Sequence, residues 1–282
     1  MKKVRILIDS TADTRPGVRE KCAVVPLSVN FGEQEYIDGV TIDYSQFYEK
    51  LIECDTLPTT SQPFPAAFAK AYEQAVSAGE QVLAITVSSA LSGTYQSACI
   101  AAMDYPDDVF VVDSKNVAIA TGILAELAVS MAENGMSASQ IARHLEEERE
   151  KLCVLAMLDT LEYLKMGGRI SRTAAVAGGI LNIKPVITIK DGEIAILGKA
   201  RGSKQGNNFL VKQIQLSGGV DFEKPVLLGY TGLSDALLQK YIEDSAFLWE
   251  EHLESLSITP VGSVIGTHAG PGAVAVAYFK KA

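Results

Sequence analysis

Along the first half of the chain, short apolar runs alternate with longer stretches in which apolar residues recur every three or four positions. Runs rich in Val, Ile and Leu lie at residues 4–8, 23–31, 81–87 and 108–112, and helical patterns lie between them at 14–21, 43–53, 63–78, 92–103 and 116–133. Short apolar runs bounded by turn residues fit buried strands. Strand followed by helix, repeated, predicts an α/β fold with a mainly parallel sheet covered on both faces. Asp43 with Gln46, and Ser137 with Gln140, have the spacing of capping boxes and mark two helix starts.

A helix over 137–150 ends in the charged run Glu146-Glu147-Glu148-Arg149-Glu150. It is read as a solvated helix face and a domain boundary, giving a Rossmann-like domain over 1–150 and a second domain over 151–282. The rhythm then changes. A strand is expected at 152–158, and strands at 183–189 and 193–197 flank Asp191-Gly192, a strong two-residue hairpin signal. A helix at 203–216, a strand at 225–230, a helix at 234–253 and strands at 258–265 and 273–279 complete a smaller α+β layer domain, with the ligand expected at the junction of the two.

With 282 residues, 48% of them hydrophobic and 21% charged, the chain can bury a substantial core, which excludes disorder. The apolar stretch after Met1-Lys2-Lys3 is too short for a secretory segment, and no later run approaches a membrane span. The four cysteines are scattered without a CxxC pair and the three histidines are not clustered, so neither disulfides nor a metal site is expected, and no cofactor. A cytoplasmic location follows as the expectation. The net charge of −9 argues against nucleic-acid binding. Residues 165–204 nevertheless carry +6, leaving −15 on the rest. That basic segment is either a site for an anion or partner, or an ordinary solvated face.

Ligands of open α/β sheets bind beyond the carboxyl ends of strands, where loops enter helices. Three such loops are rich in hydroxyls: Asp9-Ser10-Thr11-Ala12-Asp13, Thr59-Thr60-Ser61-Gln62-Pro63 and Ser88-Ser89-Ala90-Leu91-Ser92-Gly93-Thr94. Ser92 is expected in the first turn of its helix, with Gly93 permitting close approach and Thr94 adding a donor, an arrangement suited to an anion. A simple N-cap is the alternative for Ser92. Gly266-Thr267-His268-Ala269-Gly270-Pro271-Gly272 reads as a shaped polar loop around one histidine.

Taken in order, Asp9–Asp13, Thr60-Ser61-Gln62-Pro63, Leu91-Ser92-Gly93-Thr94-Tyr95-Gln96-Ser97, Tyr163-Leu164-Lys165-Met166-Gly167-Gly168-Arg169-Ile170 and Ile265–Gly272 resemble the DegV family over essentially the whole chain. These are bacterial fatty-acid-binding proteins, the best understood being the acyl-carrier subunits of fatty acid kinase. The resemblance implies a non-catalytic carrier that holds one long-chain fatty acid, its tail in an apolar tunnel and its carboxylate near the domain junction. By motif position the head-group contacts fall on Thr60, Ser92 and His268, helped by backbone N–H groups of Gly93 and Thr94. Arg169 and Arg201 would face the emerging phosphate and a separate kinase subunit; for Arg201 a surface ion pair is the competing explanation. The small apolar segment 174–181 suits a tunnel wall or helix packing equally.

Two other functions are weighed. A hydrolase acting on a lipid or ester through Ser92 and His268 would lack a G-x-S-x-G elbow. A nucleotide-binding kinase would lack both a G-x-x-x-x-G-K-[ST] loop and a G-x-G-x-x-G after a strand.

Overall fold

The computed structural model describes residues 2–170 and 182–281. In chain order the first half runs β1 (Val4–Asp9), α1 (Pro16–Arg19), β2 (Ala23–Val25), β3 (Ser28–Phe31), β4 (Gln34–Ile37), α2 (Tyr44–Glu53), β5 (Thr59–Ser61), α3 (Pro65–Ser77), β6 (Gln81–Thr86), α4 (Thr94–Ala102), β7 (Val109–Asp113), α5 (Ala118–Glu133) and α6 (Ala138–Glu148). The second half runs β8 (Leu152–Met157), α7 (Glu162–Met166), β9 (Ile183–Lys190), β10 (Glu193–Arg201), α8 (Gly202–Leu216), β11 (Leu227–Tyr230), α9 (Ala236–Asp244), α10 (Ala246–Trp249), β12 (Ser257–Pro260), α11 (Ser263–Ala269) and β13 (Val274–Phe279).

The strands β2-β1-β6-β7 form a parallel sheet, as the strand–helix alternation predicts. Its strands are apolar on both sides because both sides are covered. Leu7, Val82 and Ala84 pack on Phe68 and Tyr72 of α3 and Ala98 of α4. Ile6, Ile8, Leu83 and Ile85 face the other way, onto α5 and α6. Both predicted capping boxes form, Asp43 with Gln46 and Ser137 with Gln140.

The second sheet is six-stranded and mixed, ordered β10-β9-β8-β13-β11-β12. Asp191-Gly192 makes the tip of the β9–β10 hairpin, both residues with positive φ, as the Asp-Gly signal requires. One core runs across the two sheets: α5 packs against Ile6 and Ile8 of the first and against Leu152, Val154 and Phe279 of the second. Helix α5 thus stands between the layers and leaves a space beside its N-terminus.

Several expectations are corrected. The run 23–31 is not one strand: Pro26 lacks an N–H for a ladder, and the chain leaves the parallel sheet there. It continues as β3, the centre of a separate antiparallel sheet β4-β3-β5 that the apolar pattern did not reveal. The expected helix 234–253 breaks at Ser245, whose hydroxyl donates to the Tyr241 carbonyl and accepts from the buried Trp249 indole. The expected strand 258–265 stops at Pro260, and Ser263–Ala269 is helix. The acidic run after residue 145 is not wholly solvated, since Glu148 is buried and paired with Lys151 and Lys224. The segment 174–181 and Arg172 lie outside the described residues.

Candidate ligand-binding site

Between the two sheets lies a cavity whose space, open mouth included, is about 970 Å³. Its walls are aliphatic. Leu27, Val87 and Val117 contribute from the N-terminal half, and Val154, Ala156, Ile187 and Ala275 from the six-stranded sheet. Polar side chains gather at few points, and four of the predicted residues are among them: Thr60, Ser92, Arg169 and His268.

Thr60 and His268 are brought together from opposite ends of the chain. Thr60 lies on β5, paired with Val29 of β3, and its Oγ1 is 2.9 Å from His268 Nε2. His268 occupies the last turn of α11 rather than the polar loop expected from its glycine-rich surroundings. The error has a physical cause. Val264 and Ile265 favour a strand locally, but the N-terminus of α11 is secured by tertiary contacts, with Gly262 N–H donating to Asp13 and the Ser263 hydroxyl to Asp38. The imidazole is hemmed in: a side chain at Gly167 would collide with Nδ1, which is buried without a hydrogen-bond partner among the described residues.

Burial, reinforced by the Arg169 guanidinium, pushes the His268 pKa down to about 4. The imidazole is therefore neutral at physiological pH. As pH falls below about 6.5 the unfolded chain takes up a proton that the folded state refuses until about 4, so stability is lost across that window. His268→Asn is expected to flatten this loss in urea titrations at a series of pH values. Asp13, pushed up to about 8 by burial, titrates in the opposite sense, so the difference between wild type and variant isolates the histidine. An identical pH profile in the two proteins would contradict the buried neutral imidazole.

Ser92 precedes α4 rather than entering it; Gly93 is the N-cap and Thr94 the first helical residue. Ser92 Oγ lies 2.9 Å from Thr94 Oγ1 and accepts from Thr94 N–H at 3.3 Å. Thr94 is fully buried, so it acts on the site by holding Ser92 rather than by lining the cavity. Gly93 does not line it either; it packs tightly on the Gln62 amide, where a side chain would not fit. Ser92 and His268 hydrogen-bond to other partners, Thr94 and Thr60, which weighs against a nucleophile–base pair.

Arg169 lines the cavity instead of standing on an outer surface. Its Nε donates to the Leu91 carbonyl and its Nη1 to the Gly167 carbonyl at 2.7 Å, which pins the guanidinium between the Ser92 loop and the α7 end. Arg201 is exposed at the end of β10, N-capping α8, and does not line the cavity.

The loop 9–13, given no particular role from sequence, is both wall and brace. Thr11 lines the cavity, while Asp9 accepts hydrogen bonds from Thr11 and from Val87 N–H, fastening the ends of β1 and β6. Sequence reasoning missed Asp38, which lies outside any recognisable motif grouping, and gave Ser88 no part of its own within the hydroxyl-rich loop. The buried Ser88 hydroxyl donates to the Gly192 carbonyl at 2.7 Å and ties the hairpin tip to the Ser92 loop.

Compared with known protein families, residues 3–281 match the one described as uncharacterised protein, DegV family. The chain belongs to the DegV family. A DegV domain-containing protein of Caldanaerobacter subterraneus is 35% identical over the full length of both chains. Among solved structures, a DegV-family protein from Thermus thermophilus described as fatty-acid binding superposes with a TM-score of 0.88. It is 32% identical, with 98% of this chain and 99% of that one covered. A stearic-acid-binding protein from Eubacterium ventriosum has a TM-score of 0.85 at 30% identity, covering 100% and 99%. Among the described residues of this DegV protein, no helix is long and apolar enough to cross a membrane, and no group of His, Cys, Asp and Glu could hold a metal ion.

Proposed function

We propose that this protein binds one long-chain fatty acid, with the tail along the aliphatic cavity and the carboxylate at Thr60, Ser92 and His268. The observation that carries the reading is a mainly aliphatic cavity lining that includes Thr60, Ser92, Arg169 and His268, with Thr60 bonded to His268 and Arg169 bonded to the Leu91 carbonyl beside Ser92. The fatty-acid-binding relatives of Thermus and Eubacterium support it. With the imidazole proton on Nε2, Nε2–H donates to Thr60 Oγ1 and leaves the threonine hydroxyl free to donate to a carboxylate oxygen.

Magnitudes assign the roles. About fourteen buried methylenes at roughly 0.8 kcal/mol each contribute around 11 kcal/mol before ordering costs. A hydrogen bond to a charged group contributes about 1.5–3 kcal/mol. The tail therefore sets affinity, and the polar cluster sets orientation and selects the acid. The direct test is mass spectrometry of lipid extracted from natively purified protein, which is expected to show about one fatty acid per chain. Protein that carries no lipid and takes up no added palmitate would end the reading.

We further propose that the bound acid is presented to a separate fatty acid kinase, so that this chain is a carrier and not itself the enzyme. The two arginines divide the steps. Arg169, pinned at the polar cluster, is expected to contribute to binding, and Arg169→Ala should weaken palmitate affinity by about tenfold or more. Arg201 is exposed and does not line the cavity, so Arg201→Ala should bind palmitate normally but lower acyl phosphate formation with a cognate kinase. Binding and coupled kinase assays on the same preparations check both. Undiminished acyl phosphate formation with Arg201→Ala would leave that arginine an ordinary surface charge.

A further inference from the structure

We propose that Asp38 and Asp13 are positioning residues for the head-group site, acting through α11 on His268; the inference rests on the fatty-acid reading above. Helix α11 is only seven residues long, about two turns, so a displacement at its start is carried to its end with little loss. Two buried aspartate side chains hold that start. Asp13 Oδ1 accepts from Gly262 N–H at 2.8 Å, and Asp38 Oδ1 accepts from the Ser263 hydroxyl. The other end carries His268, bonded to Thr60.

The two ends are gripped by one structural unit. Asp38 directly follows β4, and its N–H donates to the Leu27 carbonyl just ahead of β3. Thr60 is on β5, and β4-β3-β5 is the small antiparallel sheet. This sheet therefore sets the start of α11 through Asp38 and meets its end through Thr60, so the Thr60–His268 distance is fixed by a closed loop of contacts. Asp13 ties the same helix start to the parallel sheet, its own carbonyl seated against Gly122 of α5. On its flank α11 is held by Phe47 and Tyr48, which crowd Gly266 so closely that no side chain fits there.

Asp13 and Asp38 each present an acceptor oxygen to the helix start, one to Gly262 N–H and the other to the Ser263 hydroxyl, so two successive residues at the entry to α11 are fixed. A head-group site needs its side chains kept within about half an ångström of the binding arrangement, and that precision comes from the groups behind them.

The test uses two ligands with one tail: palmitate, and hexadecanol, whose head is uncharged. Asp38→Ala and Ser263→Ala are expected to lower palmitate affinity about tenfold while hexadecanol affinity changes less than about twofold. The His268 imidazole resonances should shift in both variants, and Asp38→Asn, which keeps an acceptor for Ser263, should restore most of the palmitate affinity. Equal loss of both ligands would reduce Asp38 to a structural role and overturn the proposal, as would wild-type palmitate affinity in Asp38→Ala. Should Asp38→Ala not fold, Ser263→Ala and Asp38→Asn decide on the same readouts. Failure of the underlying reading is distinct, because wild-type protein would then bind no palmitate.

Discussion

Ala275→Phe is expected to weaken palmitate binding by about 100-fold while leaving the ligand-free protein as stable as wild type or more so. Ala275 lies on β13, paired with Gly229 of β11 on one side and Ala156 of β8 on the other, and Ala156 in turn pairs with Ile187. Residues directly opposite one another in antiparallel strands share a face, and Ala156, Ile187 and Ala275 all line the cavity. A phenylalanine here keeps good strand propensity and projects its ring into space that is already open. The ring would take the place of about four methylenes, worth about 3 kcal/mol at roughly 0.8 kcal/mol each, or about two powers of ten in Kd. Filling a void adds packing contacts, so thermal unfolding of the ligand-free variant should not come earlier. Displacement of a fluorescent fatty acid gives the affinity and calorimetry the stability. A folded variant that binds palmitate as wild type does would mean that the tail does not pass over the β13–β8 pair.

Gly122→Ala should destabilise the protein by about 1–2 kcal/mol, the opposite of what the same change does on an open helix. Within a helix, alanine is favoured over glycine by about 1 kcal/mol. Gly122 is in the second turn of α5, buried, and a Cβ there would collide with the backbone carbonyl of Asp13. A flexible neighbouring side chain could swing aside, but a peptide carbonyl moves only with its loop. That loop contains Asp13, which holds α11, and Thr11, which lines the cavity. Overpacking of this kind costs about 1–3 kcal/mol, occasionally more, and here outweighs the propensity gain. Urea unfolding supplies the measurement: a midpoint equal to or above that of wild type would show that the loop yields freely.

Both substitutions bear on the same feature, the dependence of a polar cluster on the layers around it. The Ser92 loop begins where Asp9 and Ser88 fix it, one to the parallel sheet and the other to the hairpin of the second sheet. The Thr60–His268 pair is held by the small sheet and α11. Neither half of the chain provides the site alone.

The amino-acid sequence by itself determined the order of most elements, the parallel sheet and its helices, the Asp191-Gly192 hairpin and the two capping boxes. Its hydroxyl-rich and glycine-rich segments drew attention to Ser92 and His268, and the resemblance to the DegV family added Thr60. These features are legible because their causes are local: side-chain periodicity, turn chemistry and contacts within a few residues. Only the tertiary structure decided that the run 258–265 divides into strand and helix, that 23–31 serves two sheets, and that Arg169 faces inward. Asp38 was invisible as a functional residue because nothing near it in the chain hints at Ser263, which it meets across 225 residues. Thr60 and His268 are separated by 208 residues, and their 2.9 Å approach depends on where the small sheet and α11 are packed. Such contacts come from the packing of whole elements, whose energy is spread over many side chains, and so no short stretch of sequence encodes them.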